Sequence, residues 1–97
     1  MESIINGTEK GICFICGRYC QTHKHHIFGA YNRKRAEKDG LFVYLCPECH
    51  RMVHSDFTQN VRLKEMGEVV WIDTYQKKIS DFIDEYGKNY IGYGRAI

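Results

Sequence analysis

Residues 45–54 read LCPECHRMVH. Cys46 and Cys49 stand two residues apart, the separation that zinc knuckles use. Pro47 follows Cys46, as proline does at the first turn of a helix. His50 and His54 are four apart, so a helix beginning at Pro47 carries both imidazoles on one face. The stretch predicts a helix whose start is pinned by thiolates and whose side presents a pair of metal-ligating histidines.

A matching pair lies upstream. Cys13 and Cys16 repeat the spacing, with 29 residues between Cys16 and Cys46. Two such pairs brought together make a closed tetrahedral thiolate site for a structural Zn2+. Four buried thiols without metal are the competing reading, and two pairs at ligand spacing weigh against it. Cys20 either replaces one of the four or stays a free small hydrophobe, and only the other four form two matching pairs.

His25 and His26 lie between the pairs. Neighbours on a strand point to opposite sides, so one ring can bind a metal while the other faces a different target. His25 can reach the same ion as His50 and His54. Three neutral imidazoles leave a coordination position open, as in catalytic rather than closed sites. A lone histidine is usually a surface residue; four at these spacings, framed by cysteines, argue for a site.

The 97 residues read as one domain, with a core at 12–55 and a helical extension at 56–97. A chain this short buries a limited fraction of its surface, and a structural zinc would staple it. Five cysteines at these spacings, with no secretory signal at the start, predict no disulfide framework and a cytoplasmic setting. No apolar run approaches the length of a membrane span. Net charge is +2, but residues 17–38 hold six Lys or Arg against the single acid Glu37, so that stretch carries +5 and the remainder −3. A basic block beside a histidine cluster suits a polyanion such as nucleic acid, although a charged run alone is usually a solvated loop.

The expected order is strand, loop, strand, helix, then more helix. Residues 1–11 read as a loose lead-in and 13–20 as a zinc-knuckle turn, with Gly17 supplying a positive φ. Residues 22–28 are a short strand, 29–40 a basic loop, and LFVYL at 41–45 the best strand candidate. Val61, Met66, Val69, Val70 and Trp71 suggest an amphipathic helix weakened by Gly67. A second helix is expected over 74–86, capped by Asp73 and ended by Gly87.

The pattern CxxC, HH, CxxCH, x3, H resembles the HNH endonuclease family in its small, zinc-bearing, phage-type form. HHIFGA (25–30) and LCPECHRMVH (45–54) carry the resemblance, which covers 13–55. YGKNY (86–90) is similar to the segment after the nuclease core in some phage members. The resemblance implies an α+β, ββα-metal fold and hydrolysis of DNA phosphodiester bonds, in a bacterial or phage-infected cell. It implies His25 as a metal ligand, His26 as the general base, His50 as the final motif histidine and a ligand, and His54 as a third ligand. Arg33, Lys34 and Arg35 could then hold flanking phosphates of the DNA. An imidazole-rich centre suits Zn2+, Ni2+ or Mn2+, with Mg2+ and its bound waters a further candidate. The chain departs from the pattern where the family's central Asn usually stands. Leu41 occupies that position, and Asn32 is the nearest asparagine. The departure supports a second reading, a zinc-stabilised nucleic-acid-binding module with weak or lost nuclease activity. A third is a protein-binding domain in which Tyr75, Tyr86, Tyr90 and Tyr93 form an aromatic surface, such as a homodimer contact.

Overall fold

The computed structural model describes residues 2–92. Its centre is a two-stranded antiparallel sheet in an α+β arrangement. Strand β1 (His23–His26) pairs with β2 (Phe42–Leu45) in the register His23 to Leu45 and His25 to Val43. β2 is built from aromatic and branched residues that suit a pleated surface. Phe42, Val43 and Leu45 are all buried, so both of its faces lie in the core.

The span between the strands is not the basic loop expected from its charge. It forms a 3-10 turn (Ala30–Asn32) and helix α1 (Arg33–Asp39). Only Ala36 of α1 is buried, which leaves no apolar stripe to mark the helix. Its Arg, Lys, Ala and Glu residues are strong helix formers, and that propensity prevails. Gly40 ends α1 with φ 78°, and a Cβ there would stand 2.7 Å from the Glu2 carbonyl oxygen.

That close approach reflects a second departure, because residues 2–11 are not a loose lead-in. Ile4 N–H donates to Gly40 O at 2.8 Å, the Ser3 hydroxyl to Phe42 O, and Tyr44 N–H to Thr8 Oγ1 at 2.9 Å. Phe14 N–H donates to Tyr44 O. The segment satisfies the backbone groups of β2 that β1 leaves unpaired.

Helix α2 (Pro47–Ser55) begins where Pro47 predicts. Helix α3 (Phe57–Tyr75) is one continuous helix of 19 residues, capped by Asp56, whose side chain accepts from Gln59 N–H. Gly67 does not weaken it into two pieces. A Cβ at Gly67 would lie 3.0 Å from Ile27 Cγ2 and 3.2 Å from Phe28 Cε2, so the missing side chain lets α3 press on the residues just past β1. The expected cap at Asp73 lies inside α3. The last helix, α4 (Ile79–Tyr86), starts later, where Lys78 N–H donates to Asp81 Oδ2 at 2.9 Å. Gly87 ends it with φ 89°, as expected. No helix among the described residues is long and apolar enough to cross a membrane.

Asp39 explains why α3 runs on. The Trp71 indole N–H and the Tyr86 hydroxyl both donate to Asp39 Oδ2, at 3.0 and 2.7 Å, and the Tyr75 hydroxyl donates to Asp39 O at 2.7 Å. These residues need α3 helical to Tyr75 and α4 folded back on it. Phe28, Trp71, Phe82 and Tyr86 pack ring on ring around the same point. Tyr75 and Tyr86 thus tie the extension to the core, while Tyr93 lies outside the described residues. We predict that Asp39→Ala, which strands two buried donors, costs at least about 2 kcal/mol. That is a fall in Tm of roughly 10 °C. A thermal melt checks it, and an unchanged Tm would remove Asp39 from this role.

Candidate metal centres

The two cysteine pairs share one local geometry. Cys16 N–H points at Cys13 Sγ at 3.5 Å, and Cys49 N–H at Cys46 Sγ at 3.4 Å. The first turn closes through Gly17, which has φ 75° and donates its N–H to Cys13 O. The second turn is the first turn of α2. All four Sγ atoms lie within 4.8 Å of one another, with Cys16 and Cys46 at 3.9 Å. Zinc–sulfur bonds of about 2.3 Å set tetrahedral edges of about 3.8 Å, so the donors fit that ion. Burial opposes ionisation of Cys13, yet backbone N–H groups of Cys16, Cys46 and Ile15 outweigh it and bring the thiol down to about 6. Burial pushes the Cys49 thiol up. Cys20 stands outside the group, in keeping with its lack of a paired cysteine. An Arg18–Glu48 ion pair links the two turns over the sulfurs.

Beyond Cys20 the chain enters β1 and reaches a second cluster. His25 is 5% exposed and faces α2. Its ring centre lies 5.3 Å from that of His50 and 5.2 Å from that of His54. His50 Nε2 and His54 Nε2 are 3.2 Å apart. Tetrahedral edges for nitrogen ligands are about 3.3 Å. One nitrogen from each ring falls within 4.8 Å of the others, so this trio also has the geometry of a metal site. Burial, then the neighbouring His50 and His54, lower His25 to about 4, and burial lowers His50 in the same sense. Both rings are thereby held in the neutral form that a metal requires. His54 is exposed, and the cluster opens into two adjoining cavities of about 420 and 280 Å3.

His26 faces away from the trio, as strand alternation requires, but lines both cavities. Its Nε2 lies 2.8 Å from Glu37 Oε1 on α1. With Nε2–H donated to Glu37, Nδ1 is the ring's acceptor. The hydrogen bond to His26, together with Lys24 at 3.2 Å, holds the Glu37 carboxyl below its ordinary range.

Other residues singled out by sequence are distributed as follows. Leu41 is wholly buried, and its carbonyl accepts from Ile27 N–H at 3.0 Å, just past His26. Asn32 donates to Tyr86 O at 3.1 Å and does not reach His26. Arg33 lines the smaller cavity, and Lys34 lies beside His26 and Glu37. Arg35 turns away to pair with Glu85.

Two site residues carry no mark in the motif pattern. Glu37 enters the sequence reading only as a charge. His23 lies outside the doublet, although it stands two residues before His25 and so on the same face of β1. Its Nδ1 lies 3.1 Å from His50 Nδ1. If His50 donates that proton, its Nε2 lone pair is fixed towards His54, the tautomer a ligand needs. Compared with known proteins, the chain matches no family model, no curated protein and no solved structure.

We predict that purified protein holds one zinc per chain through sulfur. Cys16→Ser or strong chelation should lower Tm sharply, read by metal analysis and melting. Full retention of Tm after zinc removal would deny the staple. Separately, His23→Gln should weaken metal uptake at the histidine trio by about 10–100-fold. Titration with Ni2+ or Mn2+ while the sulfur site stays loaded checks this, and equal affinities would leave His23 with no part in orienting His50.

Proposed function

We propose that this chain is a metal-dependent endonuclease or nickase of the HNH type, hydrolysing phosphodiester bonds of DNA. The observation that carries this reading is the joint exposure of two devices to one cavity. One is a three-imidazole cluster able to hold a cation; the other is a histidine paired with a carboxylate.

His25, His50 and His54 would hold a divalent metal, and the donor set favours a transition ion over Mg2+. Bound there, such an ion supplies positive charge to the scissile phosphate and the leaving 3′ oxygen. His26 takes the proton of the attacking water at Nδ1. Glu37 holds the ring at Nε2 and stabilises the imidazolium that forms, taking the orienting part that the family gives to its central asparagine. Arg33 and Lys34 contact flanking phosphates, which fixes position and reads no sequence. Cys13, Cys16, Cys46 and Cys49 would hold a structural zinc that ties the start of α2 to the turn preceding β1.

A plasmid-nicking assay across Mg2+, Mn2+, Ni2+ and Zn2+ tests the proposal. Wild-type protein should relax supercoiled DNA. His26→Ala should slow this by about 10²–10⁴-fold with fold and zinc content intact, and Glu37→Gln should fall between the two. Nicking that persists undiminished in His26→Ala would refute the base. No nicking with any metal, from folded zinc-loaded protein, would refute the nuclease and favour a binding module.

A further inference from the structure

The histidine cluster is approached from two sides. The smaller cavity opens past Lys24, Arg33 and His50. The larger opens past Asn60, Lys64 and Tyr90, on α3 and the segment after α4. His25, His26, Gly29, Ala30 and His54 are common to both. The first side carries basic residues of α1 already given to phosphate contact. The second side lies outside the stretch at 13–55 that carries the HNH resemblance, although Lys88 and Tyr90 fall in the YGKNY segment, and it has no role so far.

Lys64 stands on that second wall, partly buried, with no carboxylate at ion-pair distance among the described residues. Its Nζ lies 5.3 Å from the centre of the Tyr90 ring, and Lys88 Nζ lies 5.5 Å from the same centre. Two ammonium groups therefore gather on one ring beside the cavity. Two acids of α3 reach the segment after α4. Glu68 is fully buried and accepts from Tyr90 N–H at 2.6 Å, while Glu65 accepts from Gly92 N–H. These carboxylates hold the backbone of the segment that carries the lysines' shared ring. Burial, and then Lys88, lower the pKa of Lys64. Burying a cation and crowding it with a like charge both cost stability, and a folded protein ordinarily pairs such a group. An anion entering the larger cavity would remove both costs.

We propose that Lys64 and Lys88, gathered on the Tyr90 ring, form a second phosphate-binding station for a nucleic-acid strand, across the histidine cluster from Arg33. This rests on the nuclease reading for what happens at the centre. A strand so held passes from the α1 side over the histidines to α3, with one phosphate at the cluster and one on each flank. The extension 56–92 is then part of the substrate site.

The test measures binding apart from cleavage. A fluorescent DNA oligonucleotide is titrated by anisotropy over a series of salt concentrations, in a His26→Ala background. Lys64→Met and Lys88→Met are compared with Lys10→Met, a change on the exposed N-terminal segment. Lys88 is exposed, so its variant carries the test should Lys64→Met fold poorly. We expect the slope of log K against log salt to fall by about one for each lysine removed, with weaker binding. Lys10→Met should match the parent. Slopes and affinities unchanged in both variants would overturn the station, even if wild type cuts DNA. Lowered slopes in a protein that never cuts would support the station and refute the nuclease. A parent that binds no DNA overturns both.

Discussion

Four sulfur atoms held within 4.8 Å of one another are the constraint on which the rest depends. Thiolates so close repel, and thiols so close make only weak hydrogen bonds, so a shared cation is what makes the arrangement favourable. That cation would join a turn near the start of the chain to the first turn of α2, 30 positions later. Among the described residues the Arg18–Glu48 ion pair and the Phe14 N–H to Tyr44 O hydrogen bond also link those segments, and each is weaker than a shared metal would be. The consequence reaches the second cluster directly. α2 carries His50 and His54 from its thiolate-fixed start, and β1 carries His25 out of the first turn. The distance between the two halves of the histidine trio is therefore set at the sulfur site and at the β1–β2 ladder.

Within that frame, strand alternation divides the labour. His25 and His23 face α2, the first toward His50 and His54 and the second toward His50. His26 faces α1 and meets Glu37. Two chemically different sites thus arise from four consecutive residues of one strand, because adjacent side chains cannot share a face. α1 completes the second of them. Its Glu37 stands three residues before Gly40, where the positive φ turns the chain into β2, so the carboxylate's position comes from the geometry of that turn.

The two clusters that could hold a metal were legible because ligand spacing is a local property. Cys13, Cys16, Cys46 and Cys49 declare themselves as pairs, and His50 and His54 as one helix face, without knowledge of the fold. Pro47 and Gly87 marked helix ends for equally local reasons. What escaped depends on contacts distant in sequence. α1 has one buried residue and no apolar stripe. The end of α3 is decided by Asp39, 32 residues before Trp71. The ordering of residues 2–11 is decided by the open edge of β2. Glu37 as the partner of His26 is of the same kind, since no spacing rule links a carboxylate between the strands to a strand histidine. His23 is the exception, because the period of two was present in the residues and pointed to it.

Two acids, Asp39 of α1 and Glu68 of α3, anchor polar groups between the core and the extension. Asp39 takes two buried donors on one oxygen, and Glu68 is fully buried with one oxygen bound to Tyr90 N–H and the other without a partner among the described residues. Burial pushes the Glu68 carboxyl up, towards its neutral form. The segment after α4 is thus held to α3 by hydrogen bonds to Glu65 and Glu68, beside the wall on which Lys64 stands. The proposed phosphate station would give the helical extension a reason to be folded against β1 that core packing alone does not supply. Phe28 and Gly67 would serve packing equally well with a neutral residue in place of Lys64.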